Sequence, residues 1–453
     1  MYSYLSQEIP VVCISNTAES FFAYAQRETK THQRTHLIRE MQGLGDRALF
    51  YPTASKLVVL SYSVSHKTLI QQRYGYQDTD YLTPQTPSPF LSLDILREQY
   101  LLAAIVQYAG IQRILQLIPH ATTPQFLRLV ESLRQDYQLT ILIPESSSAE
   151  CLWLRDYIDT KSGFHTLAAP WLSDKGCQLP LAISCRTCHQ AAAAAYWFSV
   201  NQRSCIVKAD QGNDALGHTV IQPGQFISIT DLLENLQENP FLQEDLILVE
   251  EYIAASENLF PSIELFVPPL LEGKPQVAYT CNQLFSIEGR FAGLLIDRHL
   301  QQASWYPALE EAALTIAAEL QSMGYVGHFD LDAIIDNQEN VFLLEINARR
   351  TGGTHVHEIA HYLLGKNYLD NVVALSNTTM NRGKIIEFQD LQTTLESLFF
   401  PMHHQSRGII ITHTSNLSDG TFGYVILASS QADALSLQQE MINKIETYVE
   451  VSI

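Results

Sequence analysis

Residues 329–347 read FDLDAIIDNQENVFLLEIN, and this segment decides the fold that we expect for the chain. Two largely apolar runs flank the polar stretch 337–340, which predicts a β-hairpin with a four-residue turn. That turn would set three cross-strand pairs: Asp336 with Val341, Asp332 with Glu345, and Asp330 with Asn347. Because strand residues alternate faces, one side is apolar and must pack on a core. Its predicted members are Leu331, Ala333, Ile335, Phe342, Leu344 and Ile346.

The opposite side of the predicted hairpin is polar and gathers Asp330, Asp332, Glu345 and Asn347. Two carboxylates directly across a β-ladder repel each other and should destabilise the hairpin. A hard cation removes that cost, and oxygen ligands of this kind suit Mg²⁺ or Mn²⁺, with phosphates completing the shell. Considered alone, the hairpin fits equally well with a polar face that simply meets water.

The hairpin resembles the metal-binding segment of the ATP-grasp carboxylate–amine ligases, through Asp332 and the strand FLLEINAR at 342–349. The resemblance implies that Asp332, Glu345 and Asn347 hold the magnesium ions that bridge the phosphates of ATP. It also implies that Arg349 lies beside an acyl-phosphate and the tetrahedral intermediate formed from it.

Residues 205–220, CIVKADQGNDALGHTV, are similar to the strand, lysine and glycine-rich loop of the same family. The resemblance implies that Lys208 reaches an α-phosphate and that loop amides from Gly212 to Gly217 cap the outer phosphates. A lysine leaving a strand and a row of loop amides are physically suited to these roles. Without its neighbours, the segment would be interpreted as an ordinary hairpin with one exposed lysine.

Two further basic residues are candidates for phosphate contacts. Lys161, in the segment DTKS, is near the place of an earlier phosphate-binding lysine of the family. Arg290, in the segment EGRFAG, would meet either the γ-phosphate or the acyl-phosphate, and a plain surface arginine is an equally good interpretation.

The apolar strand 246–253, LILVEEYI, falls at the position of the family's adenine hinge. The resemblance implies that backbone groups at Glu250 and Ile253 bond the base, with Glu251 between them at the same hinge. A nearby acid would hold the ribose. The sequence offers two acids for that role and does not choose between them: Glu257 and Glu264.

Residues 1–150 alternate short apolar runs with helical patterns, which is typical of an open α/β sheet with parallel strands. A helix is predicted over 91–108. The stretch 74–90 is polar and contains three prolines, so we expect a long surface loop there. No GxGxxG turn is present, which argues against a dinucleotide site. The predicted strands are 11–14, 56–60, 114–118 and 139–143.

A chain of 453 residues is too long for one ordinary core, so we expect several domains. The predicted fold combines α/β and α+β parts: a pre-ATP-grasp α/β domain at 1–150, the ATP-grasp region at 151–380, and a small α+β unit at 381–453. Residues 349–355, RRTGGTH, and the C-terminal unit are similar to peptide ligases of the pheganomycin type.

The formal net charge of −20 disfavours nucleic-acid and anionic-membrane partners, because both require surplus basic residues. A hydrophobic content of 46% supports large buried cores. We expect no signal peptide and no membrane-spanning helix. Seven cysteines without a framework spacing are typical of reduced thiols, so a cytoplasmic location is expected.

Together these features predict an ATP- and magnesium-dependent ligase that joins a carboxylate to an amine through an acyl-phosphate. The expected partners are small-molecule substrates, amino acids or peptides, and a homodimer is possible. Two alternatives remain: an inactive ATP-binding sensor or scaffold, and a ligase that acylates a carrier-protein thiol.

Two short motifs point elsewhere. Residues 357–361, HEIAH, fit the zinc-peptidase pattern, and residues 185–189, CRTCH, fit the haem-attachment pattern. Both lie inside the region that the ligase interpretation already explains. We expect His355 and His357 to line an acceptor pocket or merely to cover the helix, and Cys185 and Cys188 to be free thiols.

Overall fold

The computed structural model describes residues 5–6, 8–172, 176–212, 217–243, 246–286, 289–380 and 387–451. Within these residues the strands form three sheets, of five, four and nine strands. The three sheets follow one another along the chain, apart from one short strand, β6 (Cys177–Gln178), that joins the edge of the largest sheet.

The N-terminal unit is a parallel sheet in the order β3-β2-β1-β4-β5, as the apolar runs predict. Its elements are β1 (Val11–Ile14), α1 (Thr17–Ala25), α2 (Thr31–Gly43), β2 (Lys56–Val59), α3 (Lys67–Arg73), β3 (Thr79–Leu82), α4 (Leu91–Arg97), α5 (Gln99–Tyr108), β4 (Ile114–Pro119), α6 (Pro124–Gln135) and β5 (Thr140–Leu142).

Two details of this unit differ from the sequence prediction. The stretch 74–90 is not all loop, because β3 pairs in parallel with β2 at the sheet edge. A four-residue edge strand with one bonded neighbour carries no strong apolar alternation, so the pattern hides it. The predicted helix 91–108 is broken at Glu98, whose backbone is extended and whose carboxylate accepts the backbone N–H groups of Gln85 and Thr86 at 2.8 and 3.1 Å.

A helical link leads from this unit to a small antiparallel sheet in the order β7-β10-β8-β9. The link contains α7 (Leu152–Ile158), α8 (Lys161–Trp171) and β6 (Cys177–Gln178). The small sheet and its helices comprise β7 (Ala182–Cys185), α9 (Cys188–Val200), β8 (Cys205–Ala209), β9 (Thr219–Ile221), α10 (Ile229–Gln237) and β10 (Ile247–Glu251). The alanine-rich stretch 191–195 lies within α9.

The largest sheet has the order β17-β18-β16-β13-β12-β11-β14-β15-β6. Its elements and helices are β11 (Pro261–Val267), β12 (Gln276–Phe285), β13 (Phe291–Ile296), α11 (Arg298–Gln301), α12 (Tyr306–Ser322), β14 (Gly327–Ile335), β15 (Val341–Asn347), α13 (Thr354–Leu364), β16 (Val373–Met380), α14 (Phe388–Leu395), β17 (Gly408–His413), β18 (Thr421–Ala428) and α15 (Gln431–Val451). The C-terminal strands therefore extend this sheet through β16 and share it with the predicted hairpin.

The hairpin 329–347 forms as β14 and β15, and its functional end has the predicted register. Asp332 pairs with Glu345 and Asp330 pairs with Asn347. The other end is shifted, because a β-bulge follows Asp332 and Ile335, not Asp336, pairs with Val341. A bulge inserts one unpaired residue into one strand and so changes which side chains face the core beyond it.

Because of the bulge, the side chains of β15 that face the core differ from those predicted from the sequence. Phe342 and Leu344 are only partly buried, while Val341 and Leu343 are exposed by 2% and 0% and take their places in the core. The members predicted on β14 are correct, and Ile346 is also buried. The hairpin packs on α12 and on α7–α8 in one hydrophobic cluster.

A second core joins the two ends of the chain. One face of the N-terminal sheet, the helix α13 and the strands β16–β18 contribute to the same hydrophobic cluster, which includes Val11, Val58, Val356, Ile410 and Phe422. Asp46, which follows α2, adds polar contacts there: its carboxylate accepts the backbone N–H groups of Thr414 and Ser415 at 2.8 and 3.0 Å. The N-terminal unit is thus fixed against the largest sheet.

None of the helices within the described ranges combines the length and the apolar character needed to cross a membrane.

Replacing Leu331 with alanine should destabilise the protein by about 2–5 kcal/mol, since a fully buried leucine leaves a cavity in the hairpin core. Denaturant unfolding followed by circular dichroism measures this change. The matched control is Leu271→Ala, at a side chain that is 96% exposed, which should leave the midpoint unchanged. Equal midpoints for both variants would contradict the packing described for β14.

Candidate functional site

The polar face of the hairpin holds a closely spaced carboxylate pair. Asp332 accepts hydrogen bonds from Gln283 Nε2 at 2.7 Å and from Asn347 Nδ2 at 3.2 Å. Burial, together with the charge of Glu345 across the ladder, raises the pKa of Asp332 to about 7. The repulsion that the sequence predicts between these two residues is therefore present in the folded protein.

Two buried lysines approach this face from other elements. Lys161, at the start of α8, places Nζ 2.8 Å from Glu345 Oε2. Lys208, on β8, forms an ion pair with Glu250. Burial alone would raise the pKa of Glu345, but Lys161 and Lys208 outweigh it and hold the pKa at about 2. Lysines from two separate elements therefore act on one carboxylate of the hairpin.

Local structure explains why Lys161 lies there. Thr160 caps α8, and its hydroxyl accepts the backbone N–H of Gly163 at 3.0 Å. Asp210, which follows β8, accepts the N–H of Ser162 at 2.7 Å, and its carbonyl accepts the N–H of Lys161 at 3.0 Å. The start of α8 and the end of the lysine strand are thus bound to each other.

The side chains of Asp332, Glu345 and Asn347 suit a hard divalent cation, because all three can offer oxygen. A cation between the two carboxylates would relieve the repulsion that raises the pKa of Asp332. In the part of the chain that the structure describes, no group of three or more His, Cys, Asp and Glu side chains is arranged for a metal. The amide of Asn347 is therefore needed as a third ligand, and Lys161 would have to yield its contact with Glu345.

Arg349 lies at the end of the same strand and is 9% exposed. Its Nη1 is 2.9 Å from Asp159 Oδ1, its Nη2 donates to Asn347 Oδ1 at 3.0 Å, and its guanidinium stands 4.6 Å from the centre of the Phe21 ring. Asp159 also accepts the backbone N–H of Ala348 at 2.7 Å. The arginine is therefore held in place by a carboxylate from the α7–α8 turn.

The predicted hinge lies on β10, an inner strand of the small sheet. Glu250 is 1% exposed, and its carboxylate pairs with Lys208 and with His165, whose Nε2 is 2.9 Å away. The backbone N–H of Glu251 donates within the sheet to Leu181 at 2.9 Å. Ile253 follows the end of the strand. Backbone contacts from Glu250 and Ile253 to a base stay a prediction.

Of the two acids proposed for the ribose, Glu264 is excluded by its position. It is 0% exposed, and it accepts hydrogen bonds from the hydroxyls of Tyr279, Thr351 and Thr354, each at 2.8 Å. A carboxylate with these partners has no side open to a sugar. Glu257 is exposed, in a turn where its φ is +46°, and remains the candidate.

The glycine-rich loop is described only at its two ends, since residues 213–216 lie outside the described residues. Gly217 has a φ of +84°, and a Cβ there would lie 2.9 Å from Phe241 Cβ, so this position requires glycine. Beside Gly212, the backbone carbonyl of Gln211 accepts a hydrogen bond from Arg27 Nη1 at 3.0 Å. This bond connects the loop to the N-terminal unit.

Arg290 is the predicted site residue that the structure leaves apart from this group. It is exposed in the turn between β12 and β13, where its backbone carbonyl accepts the N–H of Ser286 at 2.7 Å. A phosphate contact from Arg290 stays a prediction.

The histidines of the HEIAH segment are not arranged as a zinc site. Glu358 accepts a hydrogen bond from the buried Arg350 at 2.8 Å, and His357 meets the hydroxyl of Tyr368 at 3.1 Å while stacking on the Tyr279 ring. His355, which precedes the segment, is 1% exposed within the core. His355 and His357 therefore pack the helix, and among the described residues no group of three or more His, Cys, Asp and Glu side chains that could hold a metal includes His361.

The thiols of Cys185 and Cys188 are free, as predicted, and they donate to the backbone carbonyls of Ile183 and Leu242.

The sequence did not predict several residues of the site. Asp159 directly precedes the capping threonine of α8, and this position is a helix-start signal that could have drawn attention to it. Gln283 and Asp210 gave no signal, because their contacts form between residues distant in sequence. His218 lies close to both lysines, and burial together with Lys208 and Lys161 lowers its pKa to about 3.

Solved structures share this fold over nearly the whole chain. A biotin carboxylase–β,γ-ATP complex from Campylobacter jejuni has a TM-score of 0.58 and 14% identity, covering 96% of this chain and 91% of that chain. An N5-carboxyaminoimidazole synthetase from Staphylococcus aureus complexed with ADP has a TM-score of 0.51 and 12% identity, covering 99% and 100%. An N5-carboxyaminoimidazole synthase from Aspergillus clavatus, with ADP and 5-aminoimidazole ribonucleotide, gives 0.53 and 12%, covering 97% and 99%.

No protein-family model matches the sequence, and no curated protein matches it either. At 12–14% identity the structural likeness establishes the fold alone. These neighbours are ATP-grasp enzymes, so the ATP-grasp fold predicted from the sequence is confirmed.

Replacing Gly163 with alanine should destabilise the turn that positions Lys161. A Cβ at this position would lie 1.9 Å from the carbonyl oxygen of Tyr157 and 2.7 Å from Thr160 Oγ1, so the backbone must move. We expect a loss of about 1–3 kcal/mol in denaturant unfolding. Ala169→Ser adds one heavy atom at an exposed position of the same helix and should leave the unfolding midpoint unchanged. An unchanged midpoint for Gly163→Ala would contradict the close packing of this turn.

Proposed function

We propose that the protein is an ATP- and magnesium-dependent ligase that joins a carboxylate to an amine and releases ADP and phosphate. The carrying observation is that Asp332, Glu345 and Asn347 share one face of the hairpin, with Lys161 in contact with Glu345. Amino acids or peptides are the proposed substrates, as the resemblance to pheganomycin-type peptide ligases suggests.

The proposal of ATP draws support from the bound molecules of proteins that share the fold, which include ADP, ATP and magnesium ADP. ATP bound with magnesium would supply the phosphoryl group that turns an unreactive carboxylate into an acyl-phosphate. Asp332, Glu345 and Asn347 would hold the cation, and their oxygen donors suit it.

Lys161 and Lys208 would bind the phosphates. Each is now neutralised by a carboxylate, Glu345 for Lys161 and Glu250 for Lys208. A cation on Glu345 would free Lys161 to face a phosphate oxygen. Gly212 and Gly217 would let the loop backbone approach the same phosphates, while Glu251, Ile253 and Glu257 would border the nucleoside.

Arg349 would orient the substrate carboxylate and stabilise the oxyanion that forms when an amine attacks it. Its position supports this role, since Asp159 holds the guanidinium, which also contacts Asn347, one of the proposed metal ligands. Arg290 would meet the γ-phosphate or the acyl-phosphate if the turn between β12 and β13 folds over the site.

The remaining sequence predictions are part of this proposal. The domain boundaries at 150 and 380, the cytoplasmic location and the possible homodimer rest on the sequence reasoning alone. No nucleic-acid partner is proposed.

The first experiment is a screen for ADP release. The protein is incubated with magnesium ATP and pairs drawn from the twenty common amino acids and short peptides, and products are identified by mass spectrometry. ADP release that needs both a carboxylate and an amine, with a matching amide product, supports the ligase. ATP-induced thermal stabilisation without any product from the panel would favour the ATP-binding sensor.

Asp332→Asn and Glu345→Gln should each lower ADP release by about 100-fold or more, because each removes charge from the proposed cation site. Steady-state rates measured over a range of magnesium concentrations test this expectation. The matched controls are Asp78→Asn and Glu272→Gln, at exposed positions, which should keep the wild-type rate. Full turnover in Asp332→Asn or Glu345→Gln would refute the proposed metal site.

A further inference from the structure

The buried pair of Glu264 and His328 lies near Arg349 and takes no part in the mechanism proposed above. His328, near the start of β14, is 5% exposed, and its Nδ1 is 2.9 Å from Glu264 Oε1. Its other ring nitrogen, Nε2, is buried and has no hydrogen-bond partner among the residues that the structure describes. A buried polar atom without a partner is costly, so such atoms in a folded protein call for an explanation.

The hydrogen bond between His328 and Glu264 shows which nitrogen of the imidazole is the donor. The other oxygen of Glu264 accepts hydrogen bonds from the hydroxyls of Tyr279, Thr351 and Thr354. Although burial favours the neutral acid, these bonds and His328 itself lower the pKa of Glu264. An ionised Glu264 can only accept, so Nδ1 of His328 is the nitrogen that donates to it, and in the neutral ring Nε2 has the lone pair.

The free nitrogen borders a small polar cavity. The cavity has a volume of about 10 Å³, room for one water molecule or one amine nitrogen. Its lining includes His328, Arg349, Arg155, His120, Glu145 and Arg350. Arg155 Nε and His120 Nε2 are also buried without hydrogen-bond partners in the described part of the chain. The cavity is thus polar, and three buried nitrogen atoms without partners among the described residues belong to its lining side chains.

The cavity adjoins Arg349, the residue proposed to lie beside the acyl-phosphate. Along the polar face of β14, His328, Asp330 and Asp332 follow one another at alternate positions, about 7 Å apart. Asp332 pairs with Glu345 at the proposed metal end, and Asp330 pairs with Asn347. Arg349 connects the two regions, because its Nη2 donates to Asn347 Oδ1 while its side chain lines the same cavity as His328.

We propose that His328 is the general base that deprotonates the amine substrate, with Glu264 as its positioning residue. This inference rests on the proposed ligase function. Nε2 takes one proton from the substrate ammonium group, and the freed lone pair forms the C–N bond at the activated carboxyl carbon. The C–O bond to the phosphate breaks, the phosphate leaves with that electron pair, and the second amine proton leaves with it. His328 then returns its proton to solvent.

The charged groups around His328 come from several elements. Glu264 on β11 faces Nδ1, and Glu145, which follows β5, lies 3.9 Å from Nε2. Both oxygens of Glu145 accept hydrogen bonds from Arg350, at 2.8 and 2.7 Å, so this carboxylate is neutralised by a closer partner. Arg155 and Arg349 also line the cavity that Nε2 borders and bring positive charge to it.

The test separates activation of the carboxylate from attack by the amine. The full-length protein is given magnesium ATP and the twenty common amino acids, with or without hydroxylamine, which is a nucleophile already unprotonated at neutral pH. Dipeptides report attack by an ammonium group that must lose a proton, and hydroxamates report carboxylate activation alone. Mass spectrometry measures both products in the wild type and in His328→Asn, whose amide can still donate to Glu264.

In His328→Asn we expect dipeptide formation at pH 7 to fall about 100-fold or more, while hydroxamate formation changes little. The dipeptide deficit should shrink as the pH rises and the amine loses its proton without help. His328→Gln is the second variant, in case His328→Asn does not fold, and circular dichroism checks both. The matched control is His299→Asn, at an exposed position on α11, which should behave as wild type.

Two results would overturn the assignment of the base. One is an equal loss of both products in folded variants, which shows a structural role for His328. The other is unchanged dipeptide formation across the pH range. If the wild type forms neither dipeptide nor hydroxamate, the proposed ligase function fails and this inference fails with it, so the two failures are distinguishable.

Discussion

Electrostatic repulsion between Asp332 and Glu345 is the constraint on which the rest of the site depends. The two carboxylates face each other across one rung of the hairpin, on a face opposite the buried core. The partial burial of this pair is tolerated because Lys161 contacts Glu345 and because Gln283 and Asn347 donate to Asp332. The residues that contact this carboxylate pair therefore bring a cation or a hydrogen-bond donor, and the same arrangement suits a divalent cation.

The architecture brings these groups together from distant parts of the chain. The hairpin supplies the carboxylates, α8 and β8 supply the lysines, and the turn before α8 supplies Asp159, which holds Arg349. Arg350 is 2% exposed and bridges Glu145, at the end of the N-terminal unit, with Glu358 on α13. The site is therefore fixed on three sides by buried charge pairs, and its geometry does not depend on surface loops alone.

Features that depend on local sequence patterns could be predicted from the sequence. Strand alternation gave the polar face of the hairpin, and the turn gave the pairing of Asp332 with Glu345. It could not give the bulge after Asp332, since one unpaired residue changes the faces without changing the apolar composition. Nor could it separate Glu264 from Glu257, because burial of Glu264 comes from Tyr279, Thr351 and Thr354, which lie far along the chain. The hydrogen bond from Gln283 to Asp332 could not be predicted either, because these two residues are also far apart along the chain.

Asp210 links the two segments that carry Lys161 and Lys208. Its carbonyl and carboxylate bind the first residues of α8, while its own backbone N–H donates to Leu246 ahead of β10. A displacement of the small four-stranded sheet would therefore also move the start of α8, so the backbones of Lys161 and Lys208 would shift together. The side chain of Lys161 can still turn by itself, as it must when a cation takes its place on Glu345.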